Sequence, residues 1–110
     1  MFEDFLKNIT LVFQGKINNN IIKMLDIYND KFPIIISFIS NDVHKIIIKN
    51  IFNNKKFDNI LIIEQNNNFS CKLFDNSQNI YYQCLTTLNA LKYVKTDYVL
   101  KLRSDEFFYY

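Results

Sequence analysis

The stretch DYVLKLRSDEFF, residues 97–108, changes character in its middle. It begins with the apolar, β-prone residues that are typical of a buried strand. It then turns polar and charged at Arg103, Ser104, Asp105 and Glu106. A strand that ends in this way either reaches water at that point or presents its charges to a ligand. The elements that surround it decide between the two.

Length and composition indicate one small folded domain. The chain has 110 residues, enough for a single domain at residues 1–110 with one modest core. Hydrophobic residues make up 49% of it, which excludes a disordered tail. The formal net charge is +2 and like charges form no block, so we expect no nucleic-acid partner.

Cysteine usage and the N-terminal sequence predict a soluble protein of a reducing compartment. Cys71 and Cys84 have no further cysteine or histidine at metal-binding spacing, and His44 is the single histidine. The N-terminus lacks the pattern of a signal peptide, and the longest apolar run, residues 33–39, is too short to cross a bilayer. We expect a cytoplasmic location, and a peripheral position at a membrane surface stays open.

Apolar runs and helical periodicity alternate along the chain. The predicted order is a strand at 9–13, a helix at 21–30, a strand at 33–40, a helix at 43–51, a strand at 60–63, a polar loop at 66–77, a helix of about 16 residues from 80, and a strand at 98–102. Three consecutive isoleucines, 46–48, leave a strand open as an alternative for the second helix. This order predicts an α/β fold, a three-layer α/β/α arrangement with a mostly parallel sheet of about four strands.

Two places in such a fold are candidate ligand sites, because open parallel sheets bind ligands beyond the carboxyl ends of their strands. One is Gln14-Gly15-Lys16, after the first strand, where the only glycine of the chain predicts a positive φ or a close approach by another molecule. The other is the polar run at 103–106. Its carboxylates are the ligand type that Mg²⁺ and Mn²⁺ prefer, and its arginine can pair with phosphate. A solvent-exposed strand end without a ligand is the alternative.

Three quoted segments carry a family resemblance. They are Asn79-Ile-Tyr-Tyr-Gln83, a helix through Leu91-Lys-Tyr-Val94, and Thr96-Asp-Tyr-Val-Leu-Lys-Leu-Arg-Ser-Asp105. Together they resemble the WavE-like family of lipopolysaccharide-synthesis glycosyltransferases, whose members look like GT-A enzymes. The segment LVFQGKI, residues 11–17, is similar to that family's first strand and Gln-Gly turn, and residues 33–38 are similar to its second strand.

The resemblance implies a GT-A-like, nucleotide-diphospho-sugar-transferase-like half domain. It would bind a nucleotide-sugar donor, with Mn²⁺ or Mg²⁺ as cofactor, for transfer of a sugar to a glycan or lipid-linked acceptor. Asp105 would meet the metal and the donor diphosphate, with Glu106 beside it. The residues implied to contact the donor are Gln14, Gly15, Lys16, Asn79, Gln83, Arg103 and Ser104.

The sequence also departs from the family pattern. Tyr82 stands where a basic residue is expected, Lys16 stands where proline is expected, and the exit of the third strand lacks an Asp-Pro-Gly turn. The pattern includes no catalytic base and no acceptor-binding half, so we expect an incomplete enzyme that a second polypeptide or domain would complete. A non-catalytic α/β binding or interaction module stays open. A small nucleotidyltransferase is disfavoured, because one glycine cannot form a glycine-rich phosphate loop.

Overall fold

The computed structural model describes residues 2–15, 17–39, 42–57, 59–65 and 77–103. The elements are α1 (Phe2–Leu6), β1 (Ile9–Gln14), α2 (Asn20–Tyr28), β2 (Ile34–Ile39), α3 (Asp42–Phe52), a 3-10 turn (Lys55–Phe57), β3 (Leu61–Gln65), α4 (Ser77–Leu91) and β4 (Tyr98–Leu102). The four predicted strands and three predicted helices are present, and the isoleucine run lies in helix α3. The sequence did not predict α1. None of the helices in the described ranges is long and apolar enough to cross a membrane.

The four strands form one parallel sheet in the order β3-β2-β1-β4, which confirms the predicted α/β class and parallel sheet. In the register, Phe13 lies beside Ile36 of β2 and Leu102 of β4. Strands β1 and β2 are the inner strands, and their side chains are buried almost throughout. Continuous apolar runs are what a strand that is buried on both faces requires.

Helices α2 and α3 pack against one face of the sheet. The side chains of β1 and β2 alternate between the two faces, and Leu11, Phe13 and Ile36 belong to the larger core cluster. Tyr28 of α2 and Ile51 of α3 are buried in the same cluster. Before α2, Asn18 Oδ1 accepts the N–H of Asn20 at 2.9 Å in a local turn, while the N-cap residue Asn19 makes no capping hydrogen bond through its side chain.

Helix α4 contributes to a second cluster, in which Ala90 packs with Val12 and Ile35. The helical repeat seen in the sequence runs through Leu88 and Leu91, yet these two side chains are 60% and 44% exposed. The periodicity therefore predicted the helix correctly but did not identify its buried face. Small and polar residues occupy the buried face of α4, because the sheet residues that it contacts include polar side chains.

The prediction that β4 is a buried strand is wrong for the described part of the chain. Tyr98 is 55% exposed, and of the β4 side chains only Leu102 is buried. Among the described strands β4 pairs with β1 alone, so it forms an edge of the sheet. Its start is fixed by Asn8, whose side chain exchanges two hydrogen bonds with Asp97, of 3.0 and 3.1 Å.

Candidate functional site

The strand order creates one topological switch point in the described sheet. The chain runs from β1 outward to β2 and β3, and then returns to place β4 on the other side of β1. Phe13 pairs with Leu102, so Gln14 and Arg103 are the next residues at the same edge of two adjacent strands. Neighbouring strands lie about 4.8 Å apart. The structure thus brings the ends of the two predicted segments, after β1 and after β4, to one place.

Gly15 adopts the left-handed backbone conformation that its position predicted, with φ of 95°. Its N–H donates to the carbonyl of Ser37 at 3.3 Å, which ties the turn to β2. A Cβ built on Gly15 would meet no atom within 4 Å. The glycine is therefore required by its φ, and its surface is open to the approach of another molecule.

Gly15→Ala is expected to destabilise the protein by about 1–2 kcal/mol, because an L-residue is strained at this φ. No steric clash adds to that cost, because the space around the Cβ is open. Chemical denaturation of the two proteins measures the difference. An alanine variant as stable as the parent would show that the turn relaxes to a negative φ.

Gln14 belongs to a buried polar cluster, which also contains Ser37, Gln65 and Thr86. The hydroxyl of Thr86 donates to Gln14 Oε1 at 3.1 Å, and Ser37 Oγ donates to the Thr86 carbonyl at 2.7 Å. Gln65 Nε2 donates to Ser37 Oγ at 3.3 Å. The cluster joins β1, β2, β3 and α4 at the carboxyl edge of the sheet. It also explains the polar face of α4, because buried polar groups on the sheet need hydrogen-bond partners on the helix.

Sequence reasoning did not identify Ser37, Gln65 and Thr86. The available signal is the alternation of side chains between the two faces of a strand. By this alternation Gln14, Ser37 and Gln65 lie on the same sheet face as Val12, Ile35 and Ile63. Three polar residues on the same face, at or near the ends of their apolar strands, indicate a polar patch on that face of the sheet. The helix residue that meets such a patch cannot be chosen without tertiary structure.

Helix α4 meets the carboxyl edge of the sheet through Thr86, just past its middle. Thr86 meets Gln14 and Ser37 there, whereas Ala90, one turn later, packs deeper against the sheet. Gln83 lies one turn before Thr86 and its side chain is exposed. Its carbonyl oxygen lies 3.2 Å from Thr86 Oγ1 and shares the single hydroxyl proton with Gln14 Oε1. Asn79 is part of α4, but its side chain lies outside the described part.

Of the remaining predicted residues, one lies in the part of the chain that the structure describes and four lie outside it. Arg103 has an exposed side chain directly after β4. Lys16, Ser104, Asp105 and Glu106 lie outside the described residues. Within the described ranges, no three His, Cys, Asp or Glu side chains are grouped so that they could hold a metal ion. Cys84 is an exposed free thiol, as expected for a reduced cysteine.

Comparison of the chain with protein-family models, with curated proteins and with solved structures found no match. The family resemblance therefore depends on the quoted segments alone. The site itself is defined by the strand order, the Gly15 turn and the buried polar cluster.

Proposed function

We propose that this chain is the donor-binding part of a glycosyltransferase, which holds a nucleotide-sugar at the carboxyl edge of its sheet for transfer to a glycan or lipid-linked acceptor. One observation carries the proposal. Gln14 ends β1 and Gly15 follows it, Arg103 follows the neighbouring strand β4, and these two strands flank the switch point. Open α/β sheets bind nucleotides at such switch points.

The packing supports a GT-A-like half domain. Helices α2 and α3 share a cluster with one sheet face, and α4 shares a cluster with the other, as a three-layer α/β/α arrangement requires. The order β3-β2-β1-β4 is also the order of the first four strands in doubly wound nucleotide-binding folds. Fold analogy alone does not establish an activity, so the resemblance over residues 79–105 provides the substrate class.

Each residue of the site has a distinct role in the proposal. The open surface at Gly15 lets the donor approach the backbone, and the exposed Arg103 pairs with its diphosphate. Asp105 and Glu106 follow two and three residues later, and their oxygens fit a hard Mn²⁺ or Mg²⁺ ion. Such an ion, when bound, neutralises charge on the leaving diphosphate.

An exposed apolar surface supports a further partner. Leu88 and Leu91 of α4, and Val99 of β4 on the sheet face that α4 covers, are each at least 39% exposed. Exposed apolar surface next to a sheet edge is typical of an interaction site. We propose that a second polypeptide or domain covers it and supplies the acceptor site. The same surface favours the second candidate function, a non-catalytic α/β interaction module.

A thermal-shift titration with UDP, GDP, CDP and CMP, each with and without Mn²⁺, tests the proposal. A ligand at about 100 times its Kd stabilises the folded state by about 2.7 kcal/mol. For a domain of this size that is a rise in Tm on the order of 10 °C. We expect such a rise with one nucleotide in the presence of Mn²⁺.

Asp105→Ala is the matched variant for this titration. It is expected to keep the cooperative melt and lose the metal-dependent shift, because a carboxylate after the end of a strand adds little to a core. No shift with any nucleotide, from a wild-type chain that melts cooperatively, would contradict the donor-binding function and favour the interaction module. An Asp105→Ala chain that fails to fold would assign Asp105 a structural role.

A further inference from the structure

Gln65 ends β3 and carries a buried oxygen that has no partner. The side chain is 8% exposed. Its Nε2 donates to Ser37 Oγ at 3.3 Å and to the carbonyl of Ile63 at 3.4 Å. Its Oε1 is enclosed and has no hydrogen-bond partner in the described structure. Buried amide oxygens are rarely left in this state, so the exception needs an explanation, which a bound ligand group would supply.

The hydrogen-bond network fixes which atom of the Gln65 amide is unpartnered. The hydroxyl hydrogen of Ser37 is directed at the Thr86 carbonyl, 2.7 Å away, so Ser37 Oγ can only accept from Gln65. The carbonyl of Ile63 also only accepts. An amide turned by 180° would place its oxygen against two acceptors. The oxygen therefore faces away from them, and both N–H groups of Gln65 are engaged.

This arrangement restricts the chemistry of a partner. Gln65 can offer an acceptor but no free donor. Because Oε1 is enclosed, a ligand group reaches it only by displacing the atoms that cover it, and that group must supply an N–H or O–H. The position is at the carboxyl edge of the sheet, on the face shared with Gln14. Three strand spacings separate β4 from β3, roughly 14 Å in all. A nucleotide with its diphosphate at Arg103 would have to extend along this edge over that distance to place its base at Gln65.

We propose that Gln65 reads the base of the bound nucleotide, with Oε1 accepting a hydrogen bond from a ring N–H. Uracil and guanine present such a group beside a carbonyl, whereas the corresponding ring nitrogen of cytosine is an acceptor and would face Oε1 without a proton between them. This selects uridine or guanosine diphosphates over cytidine nucleotides. The inference rests on the proposed donor-binding function and adds the base specificity to it.

The test compares ligands first, because that comparison needs no variant. Isothermal titration with Mn²⁺ measures the Kd of UDP, GDP and CDP for the wild-type chain. The nucleotide that binds best is then compared with its ring-N-methylated analogue, 3-methyluridine or 1-methylguanosine diphosphate. We expect the methylated analogue and CDP each to bind about tenfold or more weakly, the value of one hydrogen bond to a buried group.

Gln65→Met completes the test, because methionine keeps the length of the side chain and removes the acceptor. In this variant the difference between the nucleotide and its methylated analogue is expected to fall below about twofold. Thr87→Val is the control: it removes the other buried side-chain oxygen without a partner in the described structure, a hydroxyl next to Thr86, and should leave the difference at its wild-type value.

The outcomes separate the two proposals. The role of Gln65 is overturned if the wild-type protein binds a nucleoside diphosphate and its ring-N-methylated analogue with equal Kd, or if it prefers CDP. Either result leaves the donor site in place. A Gln65→Met chain that keeps the full discrimination also overturns it. Wild-type protein that binds none of the three nucleotides overturns the donor-binding function, and the base specificity with it.

Discussion

Phe13→Ala is expected to lower the free energy of unfolding by about 3–5 kcal/mol, the usual cost of replacing a buried phenylalanine. Phe13 is completely buried on β1, with Ile36 and Leu102 beside it in the flanking strands. Domains are stable by only about 5–15 kcal/mol, and small ones lie near the lower limit. The variant should therefore retain little or no cooperative transition at 37 °C.

Phe52→Ala is the matched control, because it makes the same chemical change at the end of α3. Phe52 is 68% exposed, and substitutions at such positions usually change stability by less than about 0.5 kcal/mol. Urea denaturation followed by circular dichroism measures both variants. Equal losses in the two would contradict the placement of Phe13 in the core, and a large loss at Phe52 alone would mean that a partner surface covers α3.

The inner strands could be predicted from sequence because a strand that is buried on both faces needs a continuous run of apolar residues. Apolar runs at 9–13 and 33–40 correspond to β1 and β2, within one residue at each end. Gly15 was predictable for a similar reason, since a positive φ strongly favours glycine. In these segments the local pattern and the tertiary environment require the same residues.

The surroundings of α4 and β4 could not be predicted, because they depend on which elements meet. Helical spacing shows that a helix forms, but Leu88 and Leu91 are exposed, and Thr86 and Ala90 face the sheet. That choice is made by polar residues on distant strands. The environment of Gln14 depends on tertiary structure in the same way: it is buried and bonded to Thr86, a contact that links residues 72 positions apart, and its role towards a donor stays a prediction.

The burial of Gln14 bears on how it would serve the proposed donor site. A buried glutamine whose oxygen is held by Thr86 has its amide oriented before any ligand arrives. The same cluster orients Gln65 through Ser37. The cluster ties the ends of three strands to one helix, and an edge that is held in this way suits the recognition of a ligand with several polar groups.

Thr86→Val is expected to lower the free energy of unfolding by about 1–3 kcal/mol. Valine has the shape of threonine and its branched Cβ, so the packing against the sheet is kept. The loss comes from Gln14 Oε1, which is left without the hydroxyl that now donates to it from 3.1 Å. Chemical denaturation at neutral pH measures the change. Under the proposed donor-binding function, nucleotide affinity should fall as well, because the Gln14 amide is then free to turn.

Thr87→Val, the substitution at the neighbouring position, is expected to change the free energy of unfolding in the opposite direction. The buried Thr87 hydroxyl has no hydrogen-bond partner in the described structure, so a methyl group removes a desolvated polar atom and costs no bond. Stability should stay level or rise by up to about 1 kcal/mol. The two variants differ by one position on one helix and share the same chemistry and the same loss of a hydroxyl. Equal losses of stability in the two variants would mean that helix propensity, and not the bond to Gln14, sets the cost. A loss at Thr86 alone would show that α4 is held to the sheet through its polar face.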